Sequence, residues 1–238
     1  RSLQGLRGFA AALVLVFHIH AMGAKGDFWP VLDAAHWMLD LGPIAVRIFF
    51  FISGYLIVGS LWRNGDVRQF ALNRVLRIYP VFLLLHIIMF TLGPVIGYEW
   101  VGGTAGDDMS RLLGDPVSWT AHFLSNLFFL PGVLALPIAQ QNAWSLSYEA
   151  LFYVLAAFMF VAWRKRAEGR GSVLWGLGWA AILAFNLWDT DGWFFLAGVG
   201  VWWLQKEGRL GISAAGPLDV VALLAGFWFF HTGWHVMA

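Results

Sequence analysis

The chain of 238 residues contains no cysteine, so it can form no disulfide and offers no thiol nucleophile or thiolate metal site. It is also poor in charge: Asp, Glu, Lys and Arg make up 12% of it, against roughly a quarter in soluble domains. With a net charge of +1 the sum says nothing about an anionic partner; no nucleic-acid partner is expected. Short segments of alternating polarity, the mark of a membrane barrel, do not stand out. Internal repeats, low-complexity tracts and linkers that would set off a second domain are missing too.

What remains is a chain that is 60% hydrophobic and holds 15 tryptophans, which suit many interfacial ring positions. A spanning helix needs about 20 mostly apolar residues. Runs of that kind lie at 9–24, 43–62, 79–97, 143–163, 172–188, 193–205 and 217–236. The fold class is therefore all-α, a polytopic transmembrane helix bundle of about seven spans forming a single membrane-embedded domain over 1–238. A further run, 121–138, is interrupted by Asn126, Pro131, Gly132 and Pro137 and reads as re-entrant or interfacial. The chain begins at Arg1 and stops without a polar tail, so it reads as an excerpt truncated at its C-terminus. The first apolar run has no small-residue cleavage site and is not a signal peptide.

Basic residues orient such a bundle, because they collect on the cytoplasmic side. Arg63, Arg68, Arg74 and Arg77 lie in 63–77; Arg164, Lys165, Arg166 and Arg170 in 164–171; Lys206 and Arg209 close the third group. The other connections are acidic, with Asp27, Asp33 and Asp40, then Glu99, Asp107, Asp108 and Asp115, then Asp189 and Asp191. Outside, only Lys25 and Arg111 are basic. This partition holds if 121–138 does not cross, and it puts the N-terminus in the cytoplasm.

Within this frame a few ionisable residues fall at membrane depth. Arg7 and His18 in RGFAAALVLVFH are eleven residues apart, close to three turns, so they share a helix face about 16 Å apart along the axis. His18 then lies near mid-membrane, where a titratable ring faces a protein interior or a watery cavity. It either bonds a neighbouring helix or acts as a general base, since imidazole exchanges a proton near neutral pH. His20 is on another face and reads as interfacial. In GPIAVRIFFFISGYLI, Arg47 either snorkels, the plainer option, or pairs with an outer acid. Ser53 and Gly54 permit close helix approach.

Arg74 and Arg77 in NRVLRIYP share a face if helical and can grip one multiply charged anion, unless they serve topology alone. Pro80 marks the start of the third span. In NAWSLSYEALFY, Ser145 and Glu149 are spaced i, i+4, and Glu149 is the only acid in an apolar run. That carboxylate orients a histidine, holds a hydroxyl, or forms a structural pair with a base such as Arg47. His231 and His235 have a spacing that suits zinc, but no third ligand accompanies them; they read as interfacial, and no metal site is expected. Asp219 reads as a helix N-terminal acid.

Taken in order, LQGLRGFAAALVLVFH, GPIAVRIFFFISGYLI, RVLRIYP and WSLSYEALFY resemble the acyltransferase 3 family of bacterial membrane O-acyltransferases. The specific motifs run to about residue 163, and hydropathy alone carries the likeness beyond. The resemblance implies a domain of about ten spans, roughly three of them outside this chain. It also implies transfer of an acyl group, commonly acetyl, from cytoplasmic acyl-CoA to a hydroxyl of an envelope glycan or glycolipid at the bacterial inner membrane. No tightly bound cofactor is implied. By position His18 matches the family's proposed catalytic histidine and Arg7 its partner; Arg74 and Arg77 match the paired arginines, and Ser145 and Glu149 the serine–glutamate segment. The chain departs at Arg47, where the family more often has an acidic or neutral residue, and this bears on the acceptor.

The expected mechanism puts the CoA phosphates on Arg74 and Arg77, with Arg7, and makes His18, aligned by Glu149, the base that deprotonates the acceptor hydroxyl. An acyl-histidine or acyl-serine relay is the covalent variant. The alternative class is a proton-coupled transporter or flippase in which His18 and Glu149 relay protons. A scaffold without chemistry is the third.

Overall fold

The computed structural model describes residues 2–25, 41–101, 107–140 and 143–209. These form seven α-helices: α1 Ser2–Lys25, α2 Leu41–Asn64, α3 Val67–Ile96, α4 Pro116–Leu127, α5 Ala143–Ala167, α6 Ser172–Trp188 and α7 Gly192–Lys206. Among the described residues α2, α3 and α5 are long and apolar enough to cross a membrane, and residues 5–21 and 172–188 are shorter apolar helices. The protein is a multi-pass, all-helical membrane protein. The expected run 217–236, with Asp219, His231 and His235, lies outside the described residues, as do Asp27 and Asp33.

The helix limit that differs most from the hydropathy reading is the start of α3. The third span was expected over 79–97 with a basic loop before it, yet α3 starts twelve residues earlier, at Val67. Its start is fixed by Asp66, whose carboxylate accepts from the amides of Arg68 at 2.8 Å and Gln69 at 3.3 Å. Arg68, Arg74 and Arg77 are good helix formers, so the basic segment is helical although it is polar. Pro80 and Pro94 lie inside the helix and do not end it; membrane helices tolerate such breaks in the hydrogen-bond ladder. Gly97 ends α3 in the left-handed conformation, its amide donating to Gly93.

The interrupted run 121–138 does not form one helix. α4 has 12 residues, about 18 Å, well short of the hydrocarbon core. Asp115 caps it and Pro116 opens it. Beyond it the chain is irregular, held by Asn126, which is 3% exposed. The Asn126 amide donates to the carbonyls of His122 and Pro137, each at 3.0 Å, and its oxygen accepts from the Ala139 amide at 2.9 Å. Ser147 adds a second tie by donating to the carbonyls of Pro131 and Ala143.

The chain divides into two compact units. One comprises residues 1–59 and 183–238, the other 60–182. In the first, α2 and α7 pack backbone to backbone. A Cβ added to Gly54 would fall on the Phe195 carbonyl, and one added to Gly198 on the Phe51 carbonyl. The expectation that Ser53-Gly54 allows close approach is met at Gly54. Phe50 and Phe195 stack at 4.4 Å between ring centres. Tyr55 donates to the Gln205 side-chain oxygen.

In the second unit α3 is the organising helix. His86, fully buried, bonds the Phe123 carbonyl of α4 at 3.1 Å and lies among the rings of Phe82, Phe90 and Phe123. Phe90, Trp100, Met109, Leu112 and Ala139 form one core cluster; Phe82, Phe129 and Ala143 form another against α3, α4 and α5. The long outward face of α3, with Leu76, Val81, Leu84 and Val95 all exposed, is apolar, as lipid requires.

Candidate active site

Arg7 and His18 both lie on α1 with the spacing read from the sequence, and both are half-buried. His18 Nδ1 is 2.8 Å from the Val14 carbonyl, one turn back. A carbonyl only accepts, so Nδ1 carries the proton. In the neutral ring that leaves Nε2 with its lone pair, the tautomer a base needs. Phe17 meets the ring edge-on at 5.0 Å between centres.

The remaining predicted residues lie in the second unit. Arg74, on α3, sets its guanidinium 5.2 Å from the Phe70 ring centre and 5.5 Å from that of Tyr153 on α5. Its Nε is buried and has no hydrogen-bond partner among the described residues. Tyr153 donates its hydroxyl to Glu149, one turn earlier on α5. Tyr153 thus lies between the Glu149 carboxylate and Arg74, and sequence reasoning missed it. Its i+4 spacing from Glu149 in YEALFY is the signal that could have found it. Ser145 lies one turn before Glu149 on the same helix and is half-buried.

Beside this network α3 and α5 leave a groove of about 260 Å³. α3 supplies Phe70, Arg74, Val75, Ile78 and Tyr79, and α5 supplies Ala150, Tyr153, Val154 and Ala157. Phe128 and Phe129, just past α4, complete the lining. From Phe70 to Tyr79 the groove follows about 13 Å of helix. Among the described residues no group of three His, Asp or Glu could hold a metal ion.

Of the two options for Arg47, snorkelling and pairing with an outer acid, snorkelling was the plainer and pairing is what the structure shows. Its Nε donates to Asp191 at 2.9 Å, and its guanidinium lies 5.5 Å from the Phe194 ring centre. Pairing wins because Asp191, at the start of α7, is held alongside by the tight α2–α7 contact. Glu149 accepts from Tyr153 on its own helix.

Comparison with known proteins now decides the lineage. Residues 1–238 match the acyltransferase domain family over their whole length. The chain belongs to the acyltransferase 3 family. Curated members similar to it include the peptidoglycan O-acetyltransferase OatA of Listeria monocytogenes, 27% identical over 76% of this chain and 29% of that protein. The acyltransferase MdmB of Streptomyces mycarofaciens is 31% identical over 69% of this chain and 40% of its own length. Nodulation protein 10 of Rhizobium leguminosarum bv. viciae is 27% identical over 86% and 57%. This acyltransferase 3 chain therefore spans well under two thirds of these relatives. No solved structure matches it.

Proposed function

We propose that this chain is the membrane part of an O-acyltransferase that moves an acyl group, acetyl first of all, from cytoplasmic acyl-CoA to a hydroxyl of a cell-envelope glycan or glycolipid. Family membership supports acyl transfer, and the relatives named as peptidoglycan O-acetyltransferases support a glycan acceptor. The observation that carries the donor assignment is the coupling in one unit of an arginine with an unpartnered buried Nε to a long apolar groove. An acyl thioester of CoA needs both parts: cations for its phosphates and an apolar path for its arm. The basic segments at 63–77, 164–171 and 206–209 support an inner-membrane protein with its N-terminus in the cytoplasm.

In this reading Arg74 and Arg77, with Arg7, neutralise the CoA phosphates. His18 Nε2 takes the proton of the acceptor hydroxyl as its oxygen attacks the thioester carbon. The C–O bond forms, the C–S bond breaks, and the proton passes from His18 to the departing thiolate, which leaves as free CoA. Glu149 keeps a catalytic place as a carboxylate within an apolar span, and Ser145 a binding place one turn before it. Full-length protein in membranes, given labelled acetyl-CoA, is expected to release free CoA and label an envelope glycan. His18→Ala should cut this transfer by about 10²–10⁴-fold, the range for loss of a general base. Full transfer by His18→Ala would remove the base from this scheme, and solute uptake coupled to protons without CoA release would favour a transporter.

A further inference from the structure

At the end of the α3–α5 groove away from Arg74 the lining includes Phe129, a buried residue held in an unusual conformation. Phe129 is the only non-glycine residue at positive φ among the described residues, at 56°. It follows α4 in a helix-ending turn: its amide donates to Asn126 at 3.1 Å, and the Leu130 amide reaches back to Ser125 at 3.0 Å. Glycine is the usual residue at this left-handed position, where a side chain is strained. A glycine would close the same turn without that strain, so what holds phenylalanine there is the work of its ring.

The ring is 7% exposed, 5.5 Å from Tyr79 and 4.4 Å from Phe82 between centres. Tyr79 is itself tied to this turn, its hydroxyl donating to the Leu127 carbonyl at 3.1 Å. Ile138, Leu146 and Ala150 pack on the same cluster, so solid core lies behind the wall. Towards the arginine end the rings of Phe70 and Tyr153 share the lining with the small side chains of Ala71 and Ala157.

We infer that Phe129, braced by Tyr79, is the stop that limits the donor's acyl group to short chains. The inference rests on the donor reading above: with phosphates at Arg74 the arm of the thioester follows the groove inward, and its acyl end meets the Phe129 ring. Each extra methylene then meets packed aromatic core instead of open groove.

The test uses full-length protein in membranes and measures CoA release from acetyl-, butyryl- and hexanoyl-CoA. Wild type is expected to fall steeply with chain length. Phe129→Gly, which removes the ring and relieves the backbone, should raise the hexanoyl-to-acetyl ratio about tenfold or more, the scale at which pockets discriminate a methylene. Ala150→Leu keeps the ring, narrows the groove near its end and should lower the butyryl-to-acetyl ratio. Because the two variants act in opposite directions on a ratio, reduced folding in one cannot imitate the result. Unchanged ratios in both variants, or a wild type that already favours hexanoyl-CoA, would overturn the inference. A wild type that releases CoA from no thioester would instead overturn the donor reading beneath it.

Discussion

Two helix pairs in this molecule use small residues, to opposite ends. Between α2 and α7 the glycines are filled from across the interface: Gly54 meets the Phe195 carbonyl, Gly198 meets the Phe51 carbonyl, and Phe50 stacks on Phe195 beside them. Between α3 and α5 the alanines at 71, 150 and 157 are not filled, and a groove remains. In lipid no hydrophobic drive favours one helix contact over lipid, so a void between helices must be accounted for by what lines it. The first pair is glued by backbone proximity and the Arg47–Asp191 ion pair. The second carries the rings of Phe70, Tyr79 and Phe129 around the space it leaves. Small residues thus mark contact where the partner is backbone, and room where the partners are large rings.

The strongest way to break this contrast is to add one methyl group to the filled pair. Gly54→Ala and Gly198→Ala each force backbone against backbone and should destabilise the protein by about 2 kcal/mol or more, since overpacking that cannot relax lies at the upper end of its range. Gly200→Ala in the same helix meets nothing within 4 Å. It should be neutral or stabilising by up to about 1 kcal/mol, because alanine is the better helix former. Thermal or SDS-driven unfolding in detergent micelles separates the three variants, and equal losses at all three would remove the close-contact account.

A comparable loss is expected in the second unit at Asn126. Asn126→Leu strands the Pro137 carbonyl and the Ala139 amide and should cost about 2–4 kcal/mol, two unsatisfied buried groups at the usual penalty. Asn126→Asp keeps the bond from Ala139, loses both donations and should fall between the wild type and the leucine variant. Limited proteolysis within 128–140 reads the effect locally. If that segment stays protected in both variants, Asn126 is not what holds it.

Weaker still is the ion pair of the first unit. Arg47 and Asp191 keep 20% and 24% of their side-chain surface exposed. A double-mutant cycle with alanine at both positions should give a coupling of about 1 kcal/mol, between surface pairs and fully buried ones. A coupling near zero would leave the glycine contacts as the main tie between α2 and α7.

The sequence made one of these pairs easier to read than the other. Gly54 follows Ser53 in a long apolar run, and that local pattern already signals close packing, because the property it reports belongs to one helix. The α1 spacing of Arg7 and His18 is local in the same way. For Arg47 pairing with an outer acid was left open but the partner could not be named, because Asp191 is 144 residues away and only the fold brings them together. The start of α3 was missed because hydropathy registers apolar runs and cannot see that a polar, arginine-bearing segment is helical once Asp66 caps it. Arg74, Arg77 and Glu149 were legible as residues that need an explanation at membrane depth. Tyr153, which bonds Glu149 and lies against Arg74, was not, since tyrosine in an apolar span calls for none. Phe129 was out of reach: nothing in LFFLPG says which residue takes the left-handed position.

The smallest effect expected concerns how the two units fix the starts of their helical segments. In the second, Asp108 and Asp115 turn their carboxylates onto the segments that follow them. The Ser110 hydroxyl and amide hold the Asp108 carboxyl below its ordinary range, and the Ser118 amide and hydroxyl do the same for Asp115. In the first, Asp191 at the head of α7 makes no side-chain cap and turns to Arg47 instead. A carboxyl whose pKa is depressed on folding stabilises the fold above its unfolded value, near 3.9, and loses that contribution as pH falls through the folded value. The connection over 107–118 should therefore loosen only below about pH 4, with no change from these groups between pH 6 and 8. Asp108→Asn and Asp115→Asn together should flatten that acid dependence, because the amide keeps an acceptor oxygen but has no charge to lose. Amide hydrogen exchange across 107–118 at pH 6 and pH 3 is the measurement, each rate corrected for its intrinsic pH dependence. If wild type and double variant lose protection alike on acidification, the caps are not the titrating element, and the acid sensitivity of this connection lies elsewhere in the second unit.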